Sequence, residues 1–173
     1  MKNTLCRICG CSLSEVIDFG QQPLGNGFLM PGEFSSEHFY AMKVGFNETS
    51  MMLQLIEQPA PELMFHDHYA FYSSTSSFMT RHFKDFADKV VYSGYLSSDP
   101  FIVELGCNDG IMLKNFAEQD IRHLGIEPSV NVAEEANKLG VRTRSEFFTE
   151  KLAESIIAEE GQADAFLAAN VMC

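Results

Sequence analysis

The chain contains no apolar run near the roughly 18 residues that a membrane helix needs, and its start lacks the charged and apolar regions of a secretion signal. Neither a membrane span nor a signal peptide is expected. Positive charge is scarce: 12 Lys and Arg stand against 24 Asp and Glu, for a net charge of −12. The deficit is even, with 6 basic and 11 acidic residues in 1–100 and 6 and 13 in 101–173. Neither half offers a basic stripe, which argues against nucleic acid as a partner. Cysteine is sparse, odd in number (five) and unevenly spaced, which does not suit a disulfide framework and points to a reducing cytoplasm. What is present, 46% hydrophobic and 21% charged residues, is ordinary for a globular protein. The length of 173 residues suits one domain, or a small one plus part of a larger.

Residues 1–66 are rich in glycine, proline and short apolar pairs and show no long helical period. Cys6-Arg7-Ile8-Cys9-Gly10 reads as a knuckle-like turn. Val16-Ile17-Asp18-Phe19-Gly20, Ala41-Met42-Lys43-Val44-Gly45-Phe46 and Met51-Met52-Leu53-Gln54-Leu55 read as short strands, so this is a small β-rich module. Residues 67–98 form a linker and an amphipathic helix. The linker is aromatic and hydroxyl-rich (67–77), and then Phe78, Met79, His82, Phe83, Phe86, Ala87 and Val90 recur at helical spacing. In residues 99–173 the pattern alternates: strand 101–105, helix 110–119, strand 122–126, helix 130–139, strand 141–143, helix 149–160, strand 164–169. Such alternation predicts an α/β unit with a parallel sheet and crossover helices. Doubly wound sheets usually run to more than four strands, so the four here are expected to be the first half of a Rossmann-like domain, truncated at Cys173. Ala165-Phe166-Leu167-Ala168-Ala169 would then be an unpaired apolar edge that invites self-association.

Phe101-Ile102-Val103-Glu104-Leu105-Gly106-Cys107-Asn108-Asp109-Gly110 carries the functional signal. A strand that stops in a Gly-rich turn and feeds a helix is how an α/β sheet binds a nucleotide-like cofactor. Glu127 closes a second apolar run about 20 residues later, where such folds place a carboxylate for ribose hydroxyls. A dinucleotide fingerprint has a glycine in the middle of the turn so that a pyrophosphate can approach the backbone. Here Asn108 stands there and carboxylates flank the turn. That arrangement repels a pyrophosphate, disfavouring an NAD(P)-dependent oxidoreductase, and suits a cationic ligand such as S-adenosylmethionine (SAM). The alternative is that Gly106 and Gly110 only shape a tight turn, with Asn108 or Asp109 capping the next helix.

Several stretches, in this order, match one family: Cys6-x-x-Cys9-Gly10, Gly20-x-x-Pro23-Leu24, Gln54-Leu55, Met64-Phe65, Tyr69-x-Phe71-x-Ser73-Ser74, and Val103 to Gly110. The chain resembles the SAM-dependent sugar C-methyltransferases that act on nucleotide-linked 4-keto-deoxysugars, such as the TDP-sugar C-3 methyltransferases. The resemblance implies a zinc-ribbon-like N-terminal module, a SAM-binding Rossmann-like domain and a further C-terminal domain, this chain matching the N-terminal part. In the family zinc is held by two C-x-x-C pairs. Cys6 and Cys9 match the first, whereas Asn47 and Ser50 stand where the second belongs, which leaves zinc binding open.

By the same resemblance the linker lies over the cofactor and contributes Tyr69, Ser73, Ser74 and Ser76, although the second aromatic, commonly Tyr, is Phe71. The other reading of those serines is as caps for the helix from Phe78. Glu104 and Gly106 are expected to face the methionine portion, Asn108 and Gly110 to shape the turn, and Glu127 to hold the ribose. Glu146 would lie near adenine, with Phe147 or Phe148 beside it or in the core. Asn170, at the tip of the last strand, lines the pocket or only caps the exposed end. Methylation at carbon needs a base next to a keto group, usually His. The family's catalytic positions fall beyond Cys173, and none of His38, His66, His68, His82 or His123 matches one, so no catalytic residue is assigned. The expected function is C-methylation of a nucleotide-linked sugar, with this chain as the cofactor-binding part. The alternative is an inactive remnant, or a SAM-binding module that needs a partner chain.

Overall fold

The computed structural model describes residues 4–25 and 27–172; Cys173, where the half-domain was expected to end, lies outside them. The chain divides into two compact units, Met1–Phe65 and His66–Cys173. In the first, β1 (Ser14–Pro23), β2 (Phe39–Asn47) and β3 (Met52–Leu55) form an antiparallel sheet in that order. A 3-10 helix (Pro31–Ser36) joins β1 to β2, and α1 (Pro61–Met64) follows β3. Register shifts in β1 between Glu15 and Ile17 and between Asp18 and Gln21 bend that strand, and Lys43 of β2 bridges Glu15 and Asp18 across it. Among the described residues of this unit, the buried side chains are one thiol, two amides and a single large hydrophobe: Cys6, Asn47, Gln54 and Ile56.

The second unit begins its regular structure with α2 (Ser77–Val91), whose N-terminus is capped by Ser76: its Oγ accepts the Met79 N–H at 3.3 Å. Then follow β4 (Phe101–Leu105), α3 (Lys114–Ala117), β5 (Arg122–Ile126), α4 (Val130–Lys138), β6 (Thr143–Arg144), α5 (Glu150–Glu160) and β7 (Ala165–Ala168). The four strands are parallel in the order β6-β5-β4-β7. Strand alternation divides β4 between two cores. Ile102 packs with Ala87, Met112, Leu113, Phe116 and Ala136 on one face, and Phe101, Val103 and Leu105 pack with Leu124, Ile126, Leu152 and Ile156 on the other. Helices therefore cover both faces, as a parallel sheet requires. The chain winds outward from β4 to β6 and then returns to β4's other side as β7. The carboxyl ends of β4 and β7 thus flank the switch point at which such sheets bind ligands.

Three local expectations change. The helix expected over 110–119 is one turn of α3 preceded by tight turns, because the amides of Asn115 and Phe116 reach the carbonyls three residues back while Met112 and Leu113 turn inward. The third parallel strand shrinks to two residues. On α2, Phe83, Ala87, Val90 and Val91 meet the core, but Phe78 and Phe86 stand outside it at 76% and 41% exposure. Among the described residues no helix is long and apolar enough to cross a membrane.

Candidate functional site

The turn after β4 makes three left-handed residues in five: Gly106 (φ 59°), Asn108 (φ 51°) and Gly110 (φ 77°). At Gly106 a Cβ would stand 2.6 Å from Val171 Cγ2, and at Gly110 3.0 Å from Val141 Cγ2. Glycine is thus required at both by conformation and by close approach. Asn108 adopts the same conformation with a side chain, and three hydrogen bonds hold it there. Its N–H donates to Glu127 Oε2 (3.0 Å), its Oδ1 accepts the Ser73 N–H (2.9 Å), and its Nδ2 donates to Phe71 O (3.0 Å). Next to it, buried Asp109 accepts both the N–H (2.9 Å) and the hydroxyl (2.6 Å) of Ser74 through Oδ2. The linker is fastened a second time by Asn131 of α4, whose Nδ2 donates to Tyr69 O (2.8 Å) and Tyr72 Oη (2.9 Å) while its Oδ1 accepts the Tyr69 N–H (3.2 Å).

Three carboxylates are buried here: Glu104 on β4, Asp109 in the turn and Glu127 just past β5. None is in an ion pair among the described residues. Glu127 accepts the N–H groups of Ser129 (2.9 Å) and Asn108 through separate oxygens. Burial raises its pKa, and those donors pull part of the way back. Glu104 lacks such relief; burial first, then the charge of Glu127, pushes its carboxyl up to about 8. Burial and Glu127 likewise raise the Tyr69 phenol. Glu104 Oε2 and Asp109 Oδ1 are buried with no hydrogen-bond partner, a costly state for a polar atom. A cationic ligand with hydrogen-bond donors supplies what these oxygens lack, whereas an anionic one adds to the repulsion. SAM, with ammonium, sulfonium and ribose hydroxyls, fits this set.

The structure brings Tyr69, Ser73, Ser74, Glu104, Gly106, Asn108, Gly110 and Glu127 into one neighbourhood, Ser73 through its backbone. Ser76 instead spends its hydroxyl on the cap of α2. Asn170 is exposed and left-handed (φ 57°) beside Val171, the residue that approaches Gly106, so it lies at the rim. Glu146 is exposed on the loop between β6 and α5. Phe148 stacks on Phe166 (5.6 Å between centroids) in a cavity of about 300 Å³ shared with Phe101, Val103 and Ile156, on the face of the sheet opposite Glu104. Of the histidines, His123 is a buried brace: its Nε2 accepts the Arg142 N–H (3.1 Å), so Nδ1 donates to Ile121 O (2.8 Å). Asp109 as a clamp and Asn131 were not singled out by the sequence reading. Asp109 is visible in it as an acid within the Gly-rich turn; Asn131 has no comparable signal.

A second candidate site lies in the first unit, where Cys6 and Cys9 face Ser50 and Asn47. Cys6 Sγ is 3.1 Å from Ser50 Oγ, and the Cys9 thiol donates to Asn47 Oδ1 at 3.3 Å. Structural zinc normally takes four N or S donors. Two thiols with a neutral amide and a hydroxyl do not fit it. Among the described residues no three His, Cys, Asp or Glu side chains converge elsewhere in a metal-holding group.

Together the two units define an α/β, Rossmann-like half-sheet with an acidic nucleoside-type turn, joined to a small zinc-ribbon-like module. Residues 6–65 match a family model described as "Putative zinc binding domain". Over 160 residues the chain is 28% identical to C-methyltransferase NovU of Streptomyces niveus, covering 91% of this chain and 38% of that relative. The chain is thus similar to a C-methyltransferase along nearly its whole length, and it spans little more than a third of the length of that relative.

Proposed function

We propose that this chain is the cofactor-binding part of a SAM-dependent C-methyltransferase acting on a nucleotide-linked 4-keto-deoxysugar. The observation that carries the reading is the cluster of three buried carboxylates that no basic side chain pairs among the described residues, two of them with an unpartnered oxygen. SAM supplies an electrophilic methyl group. Glu104 would take the ammonium, Glu127 the ribose hydroxyls through lone pairs its two backbone donors leave unused, and the Asn108–Asp109 clamp would hold Tyr69 to Ser74 across the site and exclude water. Calorimetric titration with SAM and with NAD tests this. SAM binding that weakens at least about tenfold in Glu104→Ala or Glu127→Ala is expected, each lost charge contact being on the order of 1.5–3 kcal/mol. A preference for NAD, or unchanged affinity in both variants, contradicts it.

The second reading, a module that binds SAM but needs a partner chain for catalysis, or an inactive remnant, is supported by the commitment of His123, the buried histidine of this unit, to a structural brace. Methyl transfer by the chain alone to a keto-sugar nucleotide would decide against it. Among the described residues β7 pairs only with β4, and Phe166 on it and Ile157 of α5 are about half exposed, which supports self-association through that edge. Sedimentation at micromolar concentration should show dimers or larger species. Unpaired Cys6, Cys9, Cys11 and Cys107 support a cytoplasmic setting.

A further inference from the structure

The first unit matches a zinc-binding family, yet its four converging side chains are two thiols, an amide and a hydroxyl. We infer that in this chain a hydrogen-bond network centred on Asn47 has replaced the metal, so that the module folds without zinc. The inference is independent of the SAM reading, which concerns the other unit.

Geometry supports the replacement on both sides of the site. Cys6 and Cys9 come from the knuckle, and Asn47 and Ser50 come from the turn between β2 and β3. Each pair has the same x-x spacing, and each thiol meets one member of the other pair. Asn47 is 4% exposed, and both polar atoms of its side chain are hydrogen-bonded. Its Oδ1 accepts the Ser50 N–H (2.9 Å), the Ser50 hydroxyl (3.1 Å) and the Cys9 thiol (3.3 Å), and its Nδ2 donates to Ser12 O (2.9 Å). Cys6 Sγ shares a hydrogen bond with Ser50 Oγ (3.1 Å) and accepts the Ile8 N–H (3.4 Å). The network therefore links thiols, hydroxyl and amide and gives every side-chain polar atom at the four positions a partner. Gln54, also buried, makes a second clasp between the same two segments: its Oε1 accepts the Arg7 N–H (3.0 Å) and its Nε2 donates to Leu5 O (3.2 Å). A metal would have to displace these bonds and would gain only neutral oxygen ligands opposite the thiolates.

The test uses the full chain, expressed with zinc and purified, with metal content by mass spectrometry and unfolding followed with and without a strong chelator. The wild-type chain should carry less than about a tenth of an equivalent of zinc, and its unfolding midpoint should not move with chelator, since structural zinc is coupled to folding. Cys6→Ser/Cys9→Ser should likewise be folded and indifferent to chelator. Asn47→Cys/Ser50→Cys should take up about one zinc per chain, bind cobalt with thiolate charge-transfer absorption, and become chelator-sensitive. One zinc per wild-type chain whose removal unfolds the module would overturn the inference. So would a folded Asn47→Cys/Ser50→Cys chain that takes up no metal, because the four positions would then not surround one point. Should that variant not fold, the wild-type and Cys6→Ser/Cys9→Ser measurements decide alone.

Discussion

The two units of this chain solve the problem of an interior in opposite ways. In His66–Cys173, a parallel sheet divides two layers of large hydrophobes, and every residue of β4 is buried. The described residues of Met1–Phe65 include almost no such set; β1 is exposed along nearly its whole length, and two amides and the Cys6 thiol are buried with Ile56. In the second unit, hydrophobic burial holds a scaffold firm enough to keep three carboxylates out of water. In the first, directional hydrogen bonds connect short segments that cannot bury enough apolar surface to hold together otherwise.

The largest effect should come from the apolar layers. Phe116→Ala, at a side chain with no exposure, should destabilise the second unit by about 3–5 kcal/mol, measured by denaturant unfolding. Gly125→Ala comes next: a Cβ there would stand 2.4 Å from Cys107 Sγ, and relief needs movement of a buried side chain or of β5, at about 1–3 kcal/mol. In the polar unit Asn47→Leu, close in volume, should cost about 1–3 kcal/mol by orphaning its donors and Ser12 O, and should speed hydrogen exchange in β2 and β3. If Asn47→Leu were neutral and Phe116→Ala mild, the contrast between the units would fail. The smallest effect expected is for Thr149→Ala, which removes the hydroxyl that accepts the Leu152 N–H at the start of α5, about 1 kcal/mol.

The buried acids sharpen the contrast through pH. Glu104 has a folded pKa of about 8, above its unfolded value, so the folded chain holds a proton that the unfolded chain has released. That contribution to stability is complete below the unfolded carboxylate pKa and is lost as pH rises to about 8, at up to about 1.4 kcal/mol per pH unit. Glu127, also raised, adds in the same sense. Asp164 is lowered by the Phe101 and Ser97 N–H groups, so its contribution is present at neutral pH and lost on acidification. Thermal unfolding without ligand should therefore show a maximum on the mildly acidic side, and Glu104→Gln should flatten the decline from there to pH 8.

What was legible from residues alone follows the same division. Strand and helix alternation in 99–173 announces a parallel sheet because β4 carries large apolar residues on both faces, and the acids around Gly106 and Gly110 stand out against that background. The length of α3 was not legible, because Met112 and Leu113 suit a helix by pattern but are drawn inward by the core. Nor was the loss of Phe78 and Phe86 from the packed face of α2, which depends on how far the sheet extends beneath the helix. Asn131 was hidden because its role is to hold the backbone of Tyr69, a partner 62 residues away. In the first unit the three strands showed, and the paired x-x spacing singled out Cys6, Cys9, Asn47 and Ser50, but the hydrogen bonds that join them are set by side-chain geometry that spacing does not fix.

The central claim is that the hollow around Glu104 receives a cation, and proton release on SAM binding tests it most directly. At pH 7 a carboxyl with a pKa near 8 is about nine-tenths protonated, and pairing with an ammonium should ionise it. Calorimetry in two buffers of different ionisation enthalpy should then report release of close to one proton per SAM bound in the wild-type chain and none in Glu104→Gln. Binding of SAM with no proton released, or equal release in both chains, would contradict the account.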